Sequence, residues 1–325
     1  MVNILMLSKW HVHAEEYANF ANAQPDANVV AVWDEDPVRG AAWAQSLDAD
    51  FVADFDEAIN RADVDAVIVD GPTTDHRRVM VAAANAGKHI FTEKTLATTM
   101  DDARAIGDAI AANGVKFCIS YPHLMNPLYR LCKQLIDAGE LGRVHYMRFR
   151  NAHNGASAGW LPPHWFDMDA AGGGAMMDLG CHPMYVAPFL LGKPARVASI
   201  FNTTVAPAGD DNAVSVVEFE NKAIAVLETS FVSPYDANCF ELLGTEGAVT
   251  SIGGDIKIRT RGNNSEWRTP SPDTLPPKGP YPLRMFLDGI LHNAPIEYDI
   301  NMAYALTEML EKAYQSHHTG KIATL

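Results

Sequence analysis

Three short stretches near the start of the chain carry side chains suited to holding an anionic ligand. The first, "SKWHVHAEEYA" (8–18), follows the apolar run Asn3 to Leu7. In an α/β sheet, the first strand-to-helix turn is where backbone N–H groups and the positive end of a helix dipole meet a phosphate. Glycines normally let the backbone come close there, yet this turn has none. By offset from the strand, Ser8, Trp10 and His13 stand at the glycine positions. Ser8, Lys9 and His11 can donate hydrogen bonds instead, Lys9 with a full charge. The Trp10 ring either stacks beside a ligand or blocks it. The turn is therefore expected to bind through Ser8, Lys9, Trp10 and His11. The second stretch ends in Asp34, where a carboxylate accepts from ribose hydroxyls and repels a 2′-phosphate, which favours NAD over NADP. Asp36, just before Pro37, is the better helix cap. The third is "DGPTTDH" (70–76), in which Gly71, Pro72 and Thr73 make a tight turn and Thr73 and His76 reach toward a ribose or nicotinamide. Equally, it reads as a plain loop with Thr74 or Asp75 capping a helix.

What must position these residues is a sheet. Apolar runs at 3–7, 29–33, 65–69, 88–92 and 115–119, with a weaker one at 49–53, alternate with helix-like segments near 12–23, 37–47, 54–61, 75–86 and 99–112. That alternation implies βαβ units and a parallel sheet of the Rossmann type over residues 1–120. After Tyr121 the rhythm changes. A helix at 126–142 precedes a strand at 143–153, a loop rich in Gly, Pro and Trp at 154–174, and a helix over 175–191. Strands follow at 195–205, 213–220, 222–232, 238–243, 247–252 and 255–260, joined by short turns, which implies an antiparallel or mixed sheet. A proline-rich loop at 270–282 and helices at 283–293 and 301–317 close the chain. The expected domains are 1–120, for the nucleotide, and 121–325, for substrate and oligomerisation, with the 301–317 helix free to pack back on the first.

The 325 residues are 48% apolar and 20% charged, with a formal net charge of −15. An acidic chain is a poor partner for nucleic acid or an anionic membrane. No apolar run reaches the roughly 18 residues of a membrane span. Cys118, Cys132, Cys181 and Cys239 form no CxxC pair, and no leader pattern precedes the first strand, so reduced thiols in a cytoplasm are expected. The histidines include His11/His13 and His317/His318, but no HExxH or Cys/His spacing supplies further ligands, so no metal is expected.

The segments "AGKHIFTEKTLATT" (86–99) and "AGGGAMMDLGCH" (171–182) carry a more specific likeness. They resemble the AGKHVxxEKP and AGGGxxxDxGxH motifs of the glucose-fructose oxidoreductase / inositol dehydrogenase / rhizopine catabolism family (Gfo/Idh/MocA). The stretches at 135–148, 244–249 and 305–321 are also similar to family segments. The resemblance spans essentially the whole chain. It implies a Rossmann domain followed by an α/β domain with an open, mostly antiparallel sheet. It also implies NAD(P)-dependent oxidation or reduction of a hydroxyl on a sugar, cyclitol or related polyol. The family's catalytic lysine falls on Lys94, beside Glu93 along the cofactor, and its aspartate and histidine fall on Asp178 and His182.

Those residue types suit the chemistry. Oxidising a secondary alcohol needs a base for the hydroxyl proton, and imidazole is best matched to neutral pH. Asp178 and His182 are four apart and would share one helix face. His182 is expected to be the base, Asp178 to bind a neighbouring hydroxyl or orient the imidazole, and Lys94 to hydrogen-bond the reacting oxygen. Tyr121, His123, His153, Trp160, His164 and Trp165 are candidates for the substrate pocket, with Tyr121, His153 and Trp165 foremost. Thr95 stands where the family has proline after the lysine. Pro183 directly follows His182, and a proline inside a helix costs roughly 3 kcal/mol, so a kink or helix end is expected at Pro183. A non-redox binding protein of the same fold, and an NAD-cycling glycosidase or isomerase, are the alternatives. A dimer or tetramer covering the open sheet is expected.

Overall fold

The structure is a computed structural model that describes residues 1–233, 238–263 and 266–325. The chain divides into two compact units, Met1–Ser120 with Pro280–Thr307, and Tyr121–Gly279 with Glu308–Leu325. The expected second domain of 121–325 thus gives up residues 280–307 to the first unit.

In the first unit the strands and helices run β1 (Val2–Leu7), α1 (Ala14–Asn22), β2 (Ala27–Trp33), α2 (Pro37–Leu47), β3 (Asp50–Phe51), α3 (Phe55–Ile59), β4 (Ala66–Val69), α4 (His76–Asn85), β5 (His89–Thr92), α5 (Met100–Asn113) and β6 (Phe117–Ile119). All five strand pairs are parallel, in the order β3-β2-β1-β4-β5-β6. Ile4 to Leu7 and Ala66 to Val69 expose 1% or less, as strands covered on both faces must. Helix starts follow local chemistry. Asp36 accepts from the N–H groups of Val38 and Arg39 with Pro37 at the first helical position, and Thr99 caps α5 through Asp102 N–H. The strand order reverses between β1 and β4, so their carboxyl ends mark the ligand crevice of this sheet type.

The second unit contains α6 (Pro127–Asp137), β7 (Val144–Ala152), α7 (Met168–Ala171), α8 (Ala175–Asp178), α9 (Cys181–Leu191), β8 (Pro194–Asn202), β9 (Asn212–Phe219), β10 (Ile224–Ser230), β11 (Cys239–Gly244), β12 (Ala248–Ile252) and β13 (Asp255–Arg259). Along the chain α10 (Pro282–His292) follows, which belongs to the first unit, then α11 (Ile300–Thr319), whose residues from Glu308 belong to the second, and a short β14 (Ala323–Thr324) closes the chain. Eight strands form a sheet in the order β13-β12-β11-β7-β10-β9-β8-β14, antiparallel except for the β7–β10 pair. Strand β9 alternates exposed and buried residues along most of its length, so this sheet has one packed and one open face. Among the described residues no helix is long and apolar enough to cross a membrane.

The loop from β8 to β9 is tied by one side chain. Asp211, fully buried, accepts from the N–H groups of Thr204, Val205 and Ala206 and from the Thr204 hydroxyl at 2.6–3.0 Å. Burial pushes this carboxyl up, but those hydrogen bonds outweigh it and hold it below the usual carboxylate range. A group depressed on folding adds stability above its unfolded value, and that stability fades as pH falls through its folded value. Asp211→Asn is therefore expected to melt several degrees below the parent at pH 7, from about 1.5–3 kcal/mol of charged hydrogen bonding. The gap should shrink only below about pH 4. Thermal scans from pH 8 to 3.5 that showed a pH-independent gap would count against this account.

Candidate functional site

The glycine-free turn joins β1 to α1. Ser8 has φ +76°, the left-handed backbone that glycine serves at least cost. Side chains then brace what glycine would leave open. Ser8 Oγ accepts from Trp10 N–H at 3.0 Å, Asp34 accepts from Lys9 N–H at 2.8 Å, and His11 Nδ1 accepts from His13 N–H at 3.2 Å. The N–H groups of Ser8, His11 and Ala14 go to backbone carbonyls. Lys9 Nζ pairs with Glu15 at 2.5 Å, and Trp10 and His11 are each only 6% exposed. The Ser8 and His11 side chains brace the turn and the Lys9 amine pairs with Glu15, rather than turning to a ligand as expected, and the Trp10 ring, expected either to stack beside a ligand or to block it, is buried. Among the described residues, no hydrogen bond within the protein takes the N–H groups of Val12, Glu15 or Glu16. A left-handed turn and three such donors at a helix start fit a dinucleotide's phosphates.

Asp34 directly follows β2, but its side chain is fully covered. Arg39 lies across it, with Nε 3.0 Å from one carboxylate oxygen and Nη2 2.7 Å from the other, and the N–H groups of Lys9 and Asp36 take the remaining directions. A ribose reaches this carboxylate only if Arg39 swings away. In the 70–76 stretch, Gly71 and Pro72 lead into a single 3-10 turn at Thr73–Asp75, and all three residues Gly71, Pro72 and Thr73 stay partly exposed. His76 does not face a ligand as expected. It is 2% exposed, and its ring nitrogens lie 3.1 Å from the Leu96 carbonyl and 3.2 Å from the Gly71 carbonyl. Burial lowers its proton affinity. Its role is to brace two backbone segments.

Glu93 and Lys94 follow β5, both almost fully buried, and the Lys94–Thr95 peptide is cis. Glu93 accepts from Lys94 N–H at 2.9 Å, lies 2.9 Å from His13 Nδ1, and accepts from the Tyr17 hydroxyl, which also meets Ser120 Oγ at 2.7 Å. Burial opposes its charge, yet the neighbouring His11, His13 and Lys94 hold it well below the usual carboxylate range. Burial would lower His13, but the Glu93 charge and hydrogen bond raise it.

In the second unit, residues 175–191 are two helices rather than one. The chain breaks at Leu179–Gly180, where a Cβ on Gly180 would sit 2.7 Å from the Met176 carbonyl oxygen. The break falls before Pro183, not at it. Pro183 lies in the first turn of α9, where a missing N–H costs nothing. The Leu179 carbonyl is served by His182 N–H and by Asn151 Nδ2 at 3.2 Å. Asp178, at the end of α8, and His182, at the start of α9, therefore do not share one continuous helix face as expected. His182 is 6% exposed, its Nδ1 is 2.8 Å from the Tyr185 hydroxyl, and its ring stacks on His123 at 4.4 Å. Tyr185 also accepts from His123 N–H at 3.1 Å.

Tyr121, expected to touch substrate, is fully buried and stacked on Tyr185 at 4.2 Å, so it supports the imidazole's partner instead. Trp165 is 6% exposed. His153 is half-buried, stacked on Phe231 at 5.1 Å and close to Trp160. Residues that the sequence did not single out matter more. Asp210 accepts from the N–H groups of Gly174 and Met176 and from the Tyr314 hydroxyl, which fixes the start of α8. Asp210 precedes a strand by two residues and has no motif around it, so only the adjacent Asp-Asp pair hinted at it.

Residues 11–121 match the family model described as an oxidoreductase family with an NAD-binding Rossmann fold, and residues 129–250 match the GFO/IDH/MocA C-terminal domain. The chain is 31% identical over 241 residues to scyllo-inositol 2-dehydrogenase (NAD(+)) of Bacillus subtilis (strain 168), covering 71% of this chain and 68% of that one. It is 31% identical over 245 residues to 1,5-anhydro-D-fructose reductase of Ensifer adhaerens, covering 73% and 72%. A solved levoglucosan dehydrogenase in complex with NADH and L-sorbose has the same fold, at TM-score 0.87 and 19% identity over 100% of this chain and 98% of that one.

Proposed function

Since the chain belongs to the Gfo/Idh/MocA oxidoreductase family, we propose that it moves a hydride between NAD and a secondary hydroxyl of a sugar, cyclitol or related polyol. The relatives named for inositol and anhydro-fructose chemistry support that substrate class. NAD, when bound, supplies the hydride acceptor. His182 takes the hydroxyl proton. With Nδ1–H donating to the Tyr185 oxygen, the proton arrives at Nε2, and Tyr185 steadies the imidazolium that results. Lys94 donates to the reacting oxygen, and Asp178 binds a neighbouring hydroxyl. The observation that carries the reading is the co-occurrence of two features. One is a reversed-order parallel sheet with a left-handed Ser8 turn, and the other is a buried imidazole held at Nδ1.

Purified protein with NAD and a panel of polyols tests it, and NADH formation with at least one polyol is the expected result. Retained NAD with bond cleavage but no net NADH would instead identify a cycling glycosidase or isomerase. No binding at millimolar NAD would leave a non-redox binding protein. At the adenosine end, Arg39 is expected to release Asp34 to the ribose hydroxyls. Asp34→Ala should then weaken NAD by about tenfold or more, by calorimetry, and an unchanged affinity would remove Asp34 from the site.

The open sheet face carries Ile200 paired with Val214 and Val216 paired with Val226, of which Ile200 is 71% exposed. A second copy covering this apolar face makes the protein an oligomer. Sedimentation equilibrium at the 35.4 kDa monomer mass would rule that out. Four free, buried cysteines fit a reducing cytoplasm, an assignment that cell fractionation checks.

A further inference from the structure

Three metal-ligating side chains converge below the glycine-free turn. His13 Nδ1 is 2.9 Å from one Glu93 oxygen and His11 Nε2 is 3.8 Å from the other. Donor atoms of all three lie within 4.8 Å of one another. We propose that His11, His13 and Glu93 form a binding site for a divalent transition metal of the zinc class, a function beyond the redox reading and independent of it.

Two imidazoles and one carboxylate are a set that zinc takes, with a further position open to water. Magnesium and calcium prefer oxygen-only shells, so imidazole pairs select against them. Tetrahedral donors at about 2.0–2.1 Å from zinc lie roughly 3.3 Å apart, so the widest pair, within 4.8 Å, closes while the His13–Glu93 pair at 2.9 Å opens slightly. The half-exposed His13 side chain gives both the freedom for that contraction and a route in from solvent. Glu93 is already oriented by the Tyr17 hydroxyl and Lys94 N–H, the kind of outer support that metal-binding carboxylates have.

A second feature, independent of the cluster's own geometry, lies beside it. Asp70 is fully buried, and among the described residues neither of its carboxyl oxygens has a hydrogen-bond partner. Its carbonyl accepts His11 N–H. A buried carboxyl without hydrogen bonds is costly, and a cation held by the neighbouring His11, His13 and Glu93 lowers that cost. Binding has a defined local cost. His11 Nδ1 accepts from His13 N–H at 3.2 Å, so coordination through Nε2 moves the ring proton to Nδ1 and gives up this hydrogen bond, and coordination through His13 Nδ1 replaces its hydrogen bond to Glu93. The sequence shows only the His-x-His pair. The third ligand comes from 80 residues away, brought by β5.

The test uses the full-length protein stripped of metal, without NAD, so its outcome is separate from the dehydrogenase reading. Cobalt(II) is titrated and followed by its visible spectrum, and zinc by calorimetry and native mass spectrometry. The expected result is one ion per chain, with a cobalt spectrum of low coordination number. His13→Ala and His11→Ala should each weaken binding by at least about tenfold, while a His317→Ala, His318→Ala double variant binds as the parent does. His13 is half-exposed, so its variant should keep the parent's circular dichroism and remain informative if the His11 variant does not fold. No uptake from excess metal, uptake unchanged in His13→Ala, or uptake lost only in the His317/His318 variant would overturn the proposal.

Discussion

His182→Asn is expected to lower turnover by about 10²–10⁴-fold while leaving NAD affinity unchanged. His182 is assigned the hydroxyl proton and no contact with the dinucleotide, so the variant should separate chemistry from cofactor binding. The imidazole is aimed by packing. Tyr185 meets Nδ1, His123 stacks on the ring, and Tyr121 stacks on Tyr185. Tyr185→Phe keeps the ring stack but removes the hydroxyl. It should cost one to two orders of magnitude in kcat, since a small misplacement of a base is enough. Loss of the oxygen that accepts Nδ1–H also disfavours the imidazolium, so the acid limb of kcat/KM should move to lower pH. A merely structural tyrosine would lower the amount of folded enzyme without moving that limb. If His182→Asn kept turnover within about threefold of the parent, the proton would have another acceptor.

Gly174→Ala is expected to be strongly destabilising for a single added methyl. A Cβ there would lie 2.1 Å from the Asp210 carbonyl oxygen and 2.5 Å from its nitrogen, and backbone atoms cannot rotate away as a side-chain tip can. Relief would require withdrawing Asp210, which accepts Gly174 and Met176 N–H through its carboxylate and Ala175 N–H through its carbonyl. Losing most of these buried bonds should cost about 3–5 kcal/mol, or roughly 10 °C in melting temperature. Gly71→Ala is the matched control, because its Cβ would meet Ser8 Cβ at 3.5 Å, an ordinary contact. It should fall within about 0.5 kcal/mol of the parent. Calorimetry on both variants decides this. Equal melting temperatures would mean that the Asp210 loop shifts at little cost.

Much of the architecture could be read from neighbouring residues alone. The apolar runs, Asp36 before Pro37, Thr99 before α5 and the prolines and glycines at helix ends placed nearly every strand and helix within a few residues of where it lies. Those signals act over one turn of helix or one pleat, so the sequence states them locally. The motifs around Lys94 and His182 carried the family in the same way. The helix break at Gly180 escaped because the close approach to Met176 that leaves no room for a Cβ there is not visible in any one-dimensional reading.

What the sequence by itself determined is therefore the set of elements, the parallel sheet and the family. What only the tertiary structure decided is how the candidate residues are spent. His76 binds carbonyls, Tyr121 backs Tyr185, and Asp34 is covered by Arg39. The opening turn shows the reason. Ser8, Asp34 and His11 each hold a backbone N–H there, so side chains do what glycine's freedom does elsewhere. Hydrogen-bond partners are assigned by strand order, which sets residues 11, 13, 70 and 93 side by side across the β1, β4 and β5 ends. No periodicity or spacing records a neighbour 80 residues away, because that adjacency exists only once the sheet has closed.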